Sequence, residues 1–315
     1  MTRTSVIPIV VPGSESLAAT TSKGPPMPPT AIDLRPARRR LRSLRVPVLV
    51  VALLVVLAAT RGLNVQAAGH PVVALIVGLG TATGALLCYR WLSRTVEARE
   101  TVPELAATGR WSGLARGALL GFALFTVMIL AIGLLGGWGR TGWGSAGGFL
   151  ASFGAVASIA VNEELLFRGV LFRILDERVG SVIALVVSSL LFGLTHLVND
   201  HATLWGTLAL GIEGGTLTAA CYLLTRSLWL PIGLHFAWNF THIGIFGLPT
   251  SSSVGAAETG LLHTTLTGPD LLSGGAFGPE AGLPALLLCL VAAFFLLRRA
   301  ARTGRLRPRP QGRAA

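Results

Sequence analysis

The sequence predicts an all-α fold: a polytopic transmembrane helical bundle of about eight spans with both termini cytoplasmic. Three observations lead there. Hydrophobic residues make up 52% of the 315-residue chain and charged residues only 13%, where a soluble domain carries about 25% charged residues. Eight apolar runs approach the length needed to cross a membrane, about 20 residues. The arginines collect on alternate connections between those runs, as they do when loops alternate sides of a bilayer.

Residues 1–34 are rich in Pro, Ser, Thr and Gly and lack a sustained apolar pattern. With the basic stretch that follows they form an expected disordered tail, 1–43. The first apolar run, 44–60, starts too late for a cleaved signal peptide and is expected to be a retained anchor. It opens an N-terminal transmembrane region, 44–140, whose other spans are 71–92 and 116–137. A second region, 145–248, holds spans 147–166, 181–198, 204–225 and 230–247. Its first helical pattern runs on to about residue 177, or about 45 Å, beyond a ~30 Å hydrocarbon core. Either Gly169 breaks it or its end projects into the cytosol. Asn199, Asp200 and His201 read as a polar turn. A loop rich in Gly, Ser, Thr and Pro, 249–281, is expected outside the cytoplasm. The segment 282–315 supplies the last span, 282–298, and a basic tail.

Twenty-six basic against 14 acidic residues give a net charge of +12. The arginines flank apolar runs, so this charge sets topology and meets anionic lipid; no nucleic-acid partner is expected. Cys88, Cys221 and Cys289 lie inside apolar runs and read as small core residues, not as a disulfide framework.

Ionisable residues at membrane depth mark functional sites. The segment Asn162-Glu163-Glu164-Leu165-Leu166-Phe167-Arg168 places two carboxylates side by side. On a helix, Glu164 and Arg168 are i,i+4 neighbours in the favourable order, while Glu163 points about 100° away. Arg168 can therefore hold Glu164 ionised and leave Glu163 free to accept a proton, as a general base must. Phe192 and His196 share a second helical face, and His235 and Asn239 a third. The last pair is suited to orient water or donate to an oxyanion. Each motif alone also fits a structural role: an interfacial ion pair, a satisfied histidine, or a hydrogen bond between helices. Glu213, among Gly211, Gly214 and Gly215, reads as structural.

Taken together, Glu-Glu-x-x-x-Arg, Phe-x-x-x-His and His-x-x-x-Asn on successive helices resemble the CPBP family of CAAX prenyl proteases and bacteriocin-processing enzymes, also called Abi. The stretch Ser227-Leu228-Trp229-Leu230-Pro231 is similar to the family as well. The resemblance covers roughly 145–248. It implies an intramembrane endopeptidase acting on a membrane-associated protein or peptide, in CAAX-type processing or bacteriocin maturation and immunity. Carried over, Glu163 activates water, His196 positions it or relays its proton, His235 and Asn239 stabilise the oxyanion, and Glu164, Arg168 and Phe192 support the site. The chain has no His-Glu-x-x-His zinc helix, and no cofactor is firmly expected. Zinc stays a candidate, because Glu163, His196 and His235 could supply three ligands. The competing readings are a proton-coupled transporter and a non-enzymatic immunity scaffold. One geometric demand stands out. His196 falls near the outer end of its span and His235 near the inner end of its own, so the helices must be short, tilted or sunk for the two to meet.

Overall fold

A computed structural model describes residues 35–199, 201–250 and 260–309, with side chains from Leu44 onward. The expected tail up to residue 34, Asp200 of the polar turn, residues 251–259 of the long loop and the last six residues lie outside the described residues.

Nearly all the rest is helix. In chain order these are α1 (Arg35–Ala67), α2 (Pro71–Thr95), α3 (Arg110–Ile132), α4 (Ala146–Val179), α5 (Ser181–Leu194), α6 (Leu204–Thr225), α7 (Trp229–Asn239) and α8 (Leu283–Arg302). Seven helical segments are long and apolar enough to cross a membrane, and the chain is a multi-pass integral membrane protein. The remaining expected span, 230–247, is α7 continued by a π turn, Phe240–Ile245, and is the shortest and most enclosed helix of the core. Helix α1 begins at Arg35, ahead of its apolar run. The long helix is real: α4 runs 34 residues without a break. Gly169 does not interrupt it but sits in a π-helical stretch, Leu165–Phe172, that begins directly after the Glu163-Glu164 pair.

Two short strands went unforeseen. β1 (Trp138–Trp143) and β2 (Leu262–Leu266) pair antiparallel, with Trp143 opposite Leu262 and a bulge between Trp138 and Thr141. They bring the loop before α8 against the entrance of α4, where Ser145 N donates to Gly260 O.

Small residues set the helix crossings. Gly113, Gly117 and Gly121 recur every fourth position on α3 and meet the backbone of α7. A Cβ on Gly117 would lie 2.2 Å from Leu230 O, and one on Gly121 2.3 Å from Leu234 O. Gly78 of α2 crosses Gly154 of α4 as closely. Such approaches suit a bundle in lipid, where helix contact rests on packing. Polar groups add to it: Asn64 Nδ2 donates to Ser158 Oγ (3.2 Å), which also accepts from Thr81 Oγ1 (2.9 Å), joining α1, α2 and α4. The start of α7 is anchored too, because Leu228 N donates to Glu104 O and Trp229 Nε1 to Ala106 O. These contacts fix where His235 and Asn239 stand.

Candidate active site

The two adjacent glutamates have opposite surroundings. Glu164 is fully buried and Oε1 accepts from Arg168 Nη1 at 3.0 Å, the i,i+4 pair expected on one helix face. The same oxygen accepts from His235 Nδ1 at 2.9 Å, a contact spanning 71 positions of chain. Glu163 is partly exposed to a cavity, with Oε2 3.7 Å from His235 Nε2.

Arg168 is fully buried and held on three sides. Nη2 donates to Gly215 O of α6 at 2.8 Å, and the guanidinium carbon lies 4.7 Å from the centroid of the Phe192 ring. The accepting carbonyl ends a π turn, Gly211–Gly215. Helices that switch locally to π geometry leave carbonyls off the regular ladder, and such turns gather at functional sites. Here they follow Glu164, enclose Glu213 and follow Asn239.

Phe192 is the hub between the helices. Its ring packs edge-on against His235 (5.9 Å between centroids) and tilted against His196 (5.2 Å). His196 Nδ1 is 2.9 Å from Phe192 O. A carbonyl only accepts, so Nδ1 carries the hydrogen and Nε2 is left as the acceptor. The same logic applies to His235, whose Nδ1–H is taken by the Glu164 carboxylate. His196 and His235 reach one cavity across the Phe192 ring, with α7 short and enclosed and α5 ending in a tight turn, Thr195–Val198.

A cavity of about 450 Å³ gathers Glu163, His196, His235 and Asn239 on its wall, with apolar residues of α1 such as Leu54 and Leu57 opposite. All four expected catalytic side chains thus reach one space, Phe192 lines it with them, and Glu164 and Arg168 stand behind. Zinc needs three protein donors converging on one point. Two imidazole nitrogens and a carboxylate are suitable donors, but among the described residues no three His, Cys, Asp or Glu side chains are so gathered. The site does not form a three-ligand cradle, and no step below is routed through a metal.

One group on the wall escaped sequence reasoning. Glu280, in the loop before α8, reaches the same cavity. Its Oε1 accepts from Trp238 Nε1 at 2.8 Å and lies 3.7 Å from His242 Nδ1. Burial would raise this carboxyl, but hydrogen bonding from His242 and the Trp238 indole outweighs it and holds it below its ordinary value. Nothing in a Gly- and Pro-rich loop singles out that acid. The only available hint is its position immediately before the last span.

Residues 145–241 match the family model described as type II CAAX prenyl endopeptidase Rce1-like. The match embraces all three motifs in their order. The match agrees with the resemblance of this core to the CPBP family. A protein of Bacillus subtilis (strain 168) named "Putative membrane peptidase YdiL" is 31% identical over 79 residues, which are 25% of this chain and 30% of that relative. The chain thus spans under a third of the curated relative it matches. No solved structure matches it significantly. The matched residues coincide with α4–α7, the helices that line the cavity.

Proposed function

We propose that the chain is an intramembrane endopeptidase that hydrolyses a peptide bond of a membrane-associated protein or peptide with a glutamate-activated water. The observation that carries this reading is the division of labour between the paired carboxylates. Glu164 is locked by Arg168 and His235, while Glu163 alone opens on the cavity. Glu163 takes a proton from water, and the resulting hydroxide attacks the scissile carbonyl carbon. The Asn239 amide N–H, with His235 Nε2–H when the imidazole is protonated, donates to the oxyanion. His196 Nε2 accepts from the attacking water and orients it. Glu163 then passes its proton to the leaving nitrogen as the C–N bond breaks, giving one carboxylic acid and one amine for each water consumed. The family match and the mainly apolar cavity wall support a substrate presented from the bilayer, in processing of CAAX type or in bacteriocin maturation or immunity.

The test compares membrane-associated peptides, by mass spectrometry, in cells expressing the wild type and Glu163→Gln. Cleavage products that disappear in the variant, at equal protein level and membrane insertion, identify the substrate. Identical profiles at equal expression favour the transporter or scaffold readings, which proton-flux measurements then separate.

A further inference from the structure

Glu213 stands at the centre of α6, only 1% exposed, and neither carboxylate oxygen makes a well-formed hydrogen bond to a side chain among the described residues; the Gly214 backbone N–H lies close by but off-line. The thiol of Cys289 faces it but is a weak donor. Buried polar groups are almost always satisfied by protein or by ordered water, so a carboxyl so weakly partnered at the edge of a cavity calls for a further donor. Glu213 opens on an annex behind the active site that shares His235 and Asn239 with the main cavity and is also bounded by Glu280, Thr218 and Trp238. Its volume is about 30 Å³. One water needs roughly 10–15 Å³ measured in this way, together with two to four polar partners. The annex has room for one or two. Glu280 is already engaged by the Trp238 indole, and Leu210, Leu217 and Leu234 supply no donor to Glu213. A water can donate one hydrogen to each carboxylate and accept from the Asn239 amide.

We propose that Glu213 and Glu280 hold ordered water in this annex and that it is the reserve from which the hydrolytic water is replenished. The second half of the proposal rests on the peptidase reading; the first does not. A site enclosed by helices consumes a water at every turnover, and this annex adjoins His235 and Asn239 on the side away from Glu163.

The experiment is radiolytic hydroxyl labelling of the full chain in detergent, which oxidises buried side chains only where water is bound beside them. Trp238 lines the annex at 5% exposure, whereas Trp229, at 8%, does not line it and donates to a backbone carbonyl. Trp238 is expected to label at least about fivefold faster than Trp229. Glu213→Leu should bring it down to the Trp229 rate, and Glu213→Gln, which keeps two polar atoms, should restore it. Equal labelling of the two tryptophans in the wild type overturns the water site whether or not any variant folds. So does labelling indifferent to Glu213→Leu. With a substrate identified, Glu213→Leu should lower kcat about tenfold at unchanged KM, with recovery in Glu213→Gln. Lost labelling with full kcat overturns the reserve while leaving the peptidase reading intact. Peptide profiles unchanged by Glu163→Gln would sink the peptidase reading without touching the labelling result.

Discussion

Glu163 and Glu164 differ by one position and about 100° of helix rotation, and that rotation decides their fates. Glu164 is wholly buried between two donors, so its removal strands the Arg168 charge in the core. Breaking a buried pair from one side costs about 3–5 kcal/mol. Glu164→Ala is therefore expected to lower the thermal unfolding transition in detergent markedly. Glu163→Gln, whose parent side chain is partly exposed and 3.7 Å from its nearest ionic partner, should shift stability by less than about 1 kcal/mol while abolishing cleavage. Equal destabilisation by the two would contradict the assigned roles. Asn239→Ala removes the proposed oxyanion donor and should reduce kcat about 100-fold with little change in KM. The pairing of Glu164 with Arg168 was legible because four residues on one helix are neighbours by geometry. Its second partner, His235, was not, because no local spacing reports a contact across 71 positions. Glu280 was illegible for the same reason.

At the level of elements, one of the closest crossings at the site is that of α3 with α7. The α3 glycines let the backbone of α7 approach, and α7 carries both His235 and Asn239. Gly117→Val would place a branched side chain where even a Cβ lies 2.2 Å from Leu230 O. Two backbones cannot give way as one flexible side chain can, so the helices must separate. Overpacking of this kind costs about 1–3 kcal/mol. Stability should fall by that amount, and activity by more, since a misplacement of about 1 Å at catalytic groups costs on the order of 100-fold. Thermal melts and turnover of the same preparation check the two together. Gly80→Ala, where nothing approaches the added carbon within 4 Å, is the control. The long apolar runs announced the helices plainly, because hydrophobic length is a one-dimensional property. The π turns after Glu164 and Asn239 carry no such signature, since they come from packing of neighbouring helices. The β1–β2 pair was hidden because five- and six-residue strands without apolar alternation look like loop.

The whole molecule is polar at one end. Arg45 of α1 reaches Glu97 and Glu177, Arg173 reaches Glu97 at 2.5 Å, and Arg99 grips Glu104 at 2.6 Å. Burial would raise the Glu104 carboxyl, but hydrogen bonds from Arg99 and Tyr89 outweigh it and hold it below its ordinary 4.5. Folding therefore favours its ionised form. That contribution is complete above 4.5 and is lost as pH falls through the lower folded value, so the unfolding temperature should be level down to about pH 5 and decline below it. Glu104→Gln should flatten part of that decline. At the same end Asp176 binds Arg226 at 2.6 Å and Arg307 at 3.3 Å, and Ser181 N donates to Arg307 O. The start of α1 and the segment after α8 therefore converge on the far end of α4. That convergence favours an even number of crossings, and we propose that the short α7 adds an eighth to the seven long segments. This end collects the arginines, so by the positive-inside rule it is expected on the cytoplasmic side. A fluorescent protein that matures only in the cytoplasm is expected to fluoresce when fused after residue 309 and equally when fused before residue 35. An alkaline phosphatase that works only outside should be active when inserted at 251–259. Fluorescence at one terminus alone would mean that α7 does not cross, and would place His235 and Asn239 on a re-entrant helix instead of a spanning one.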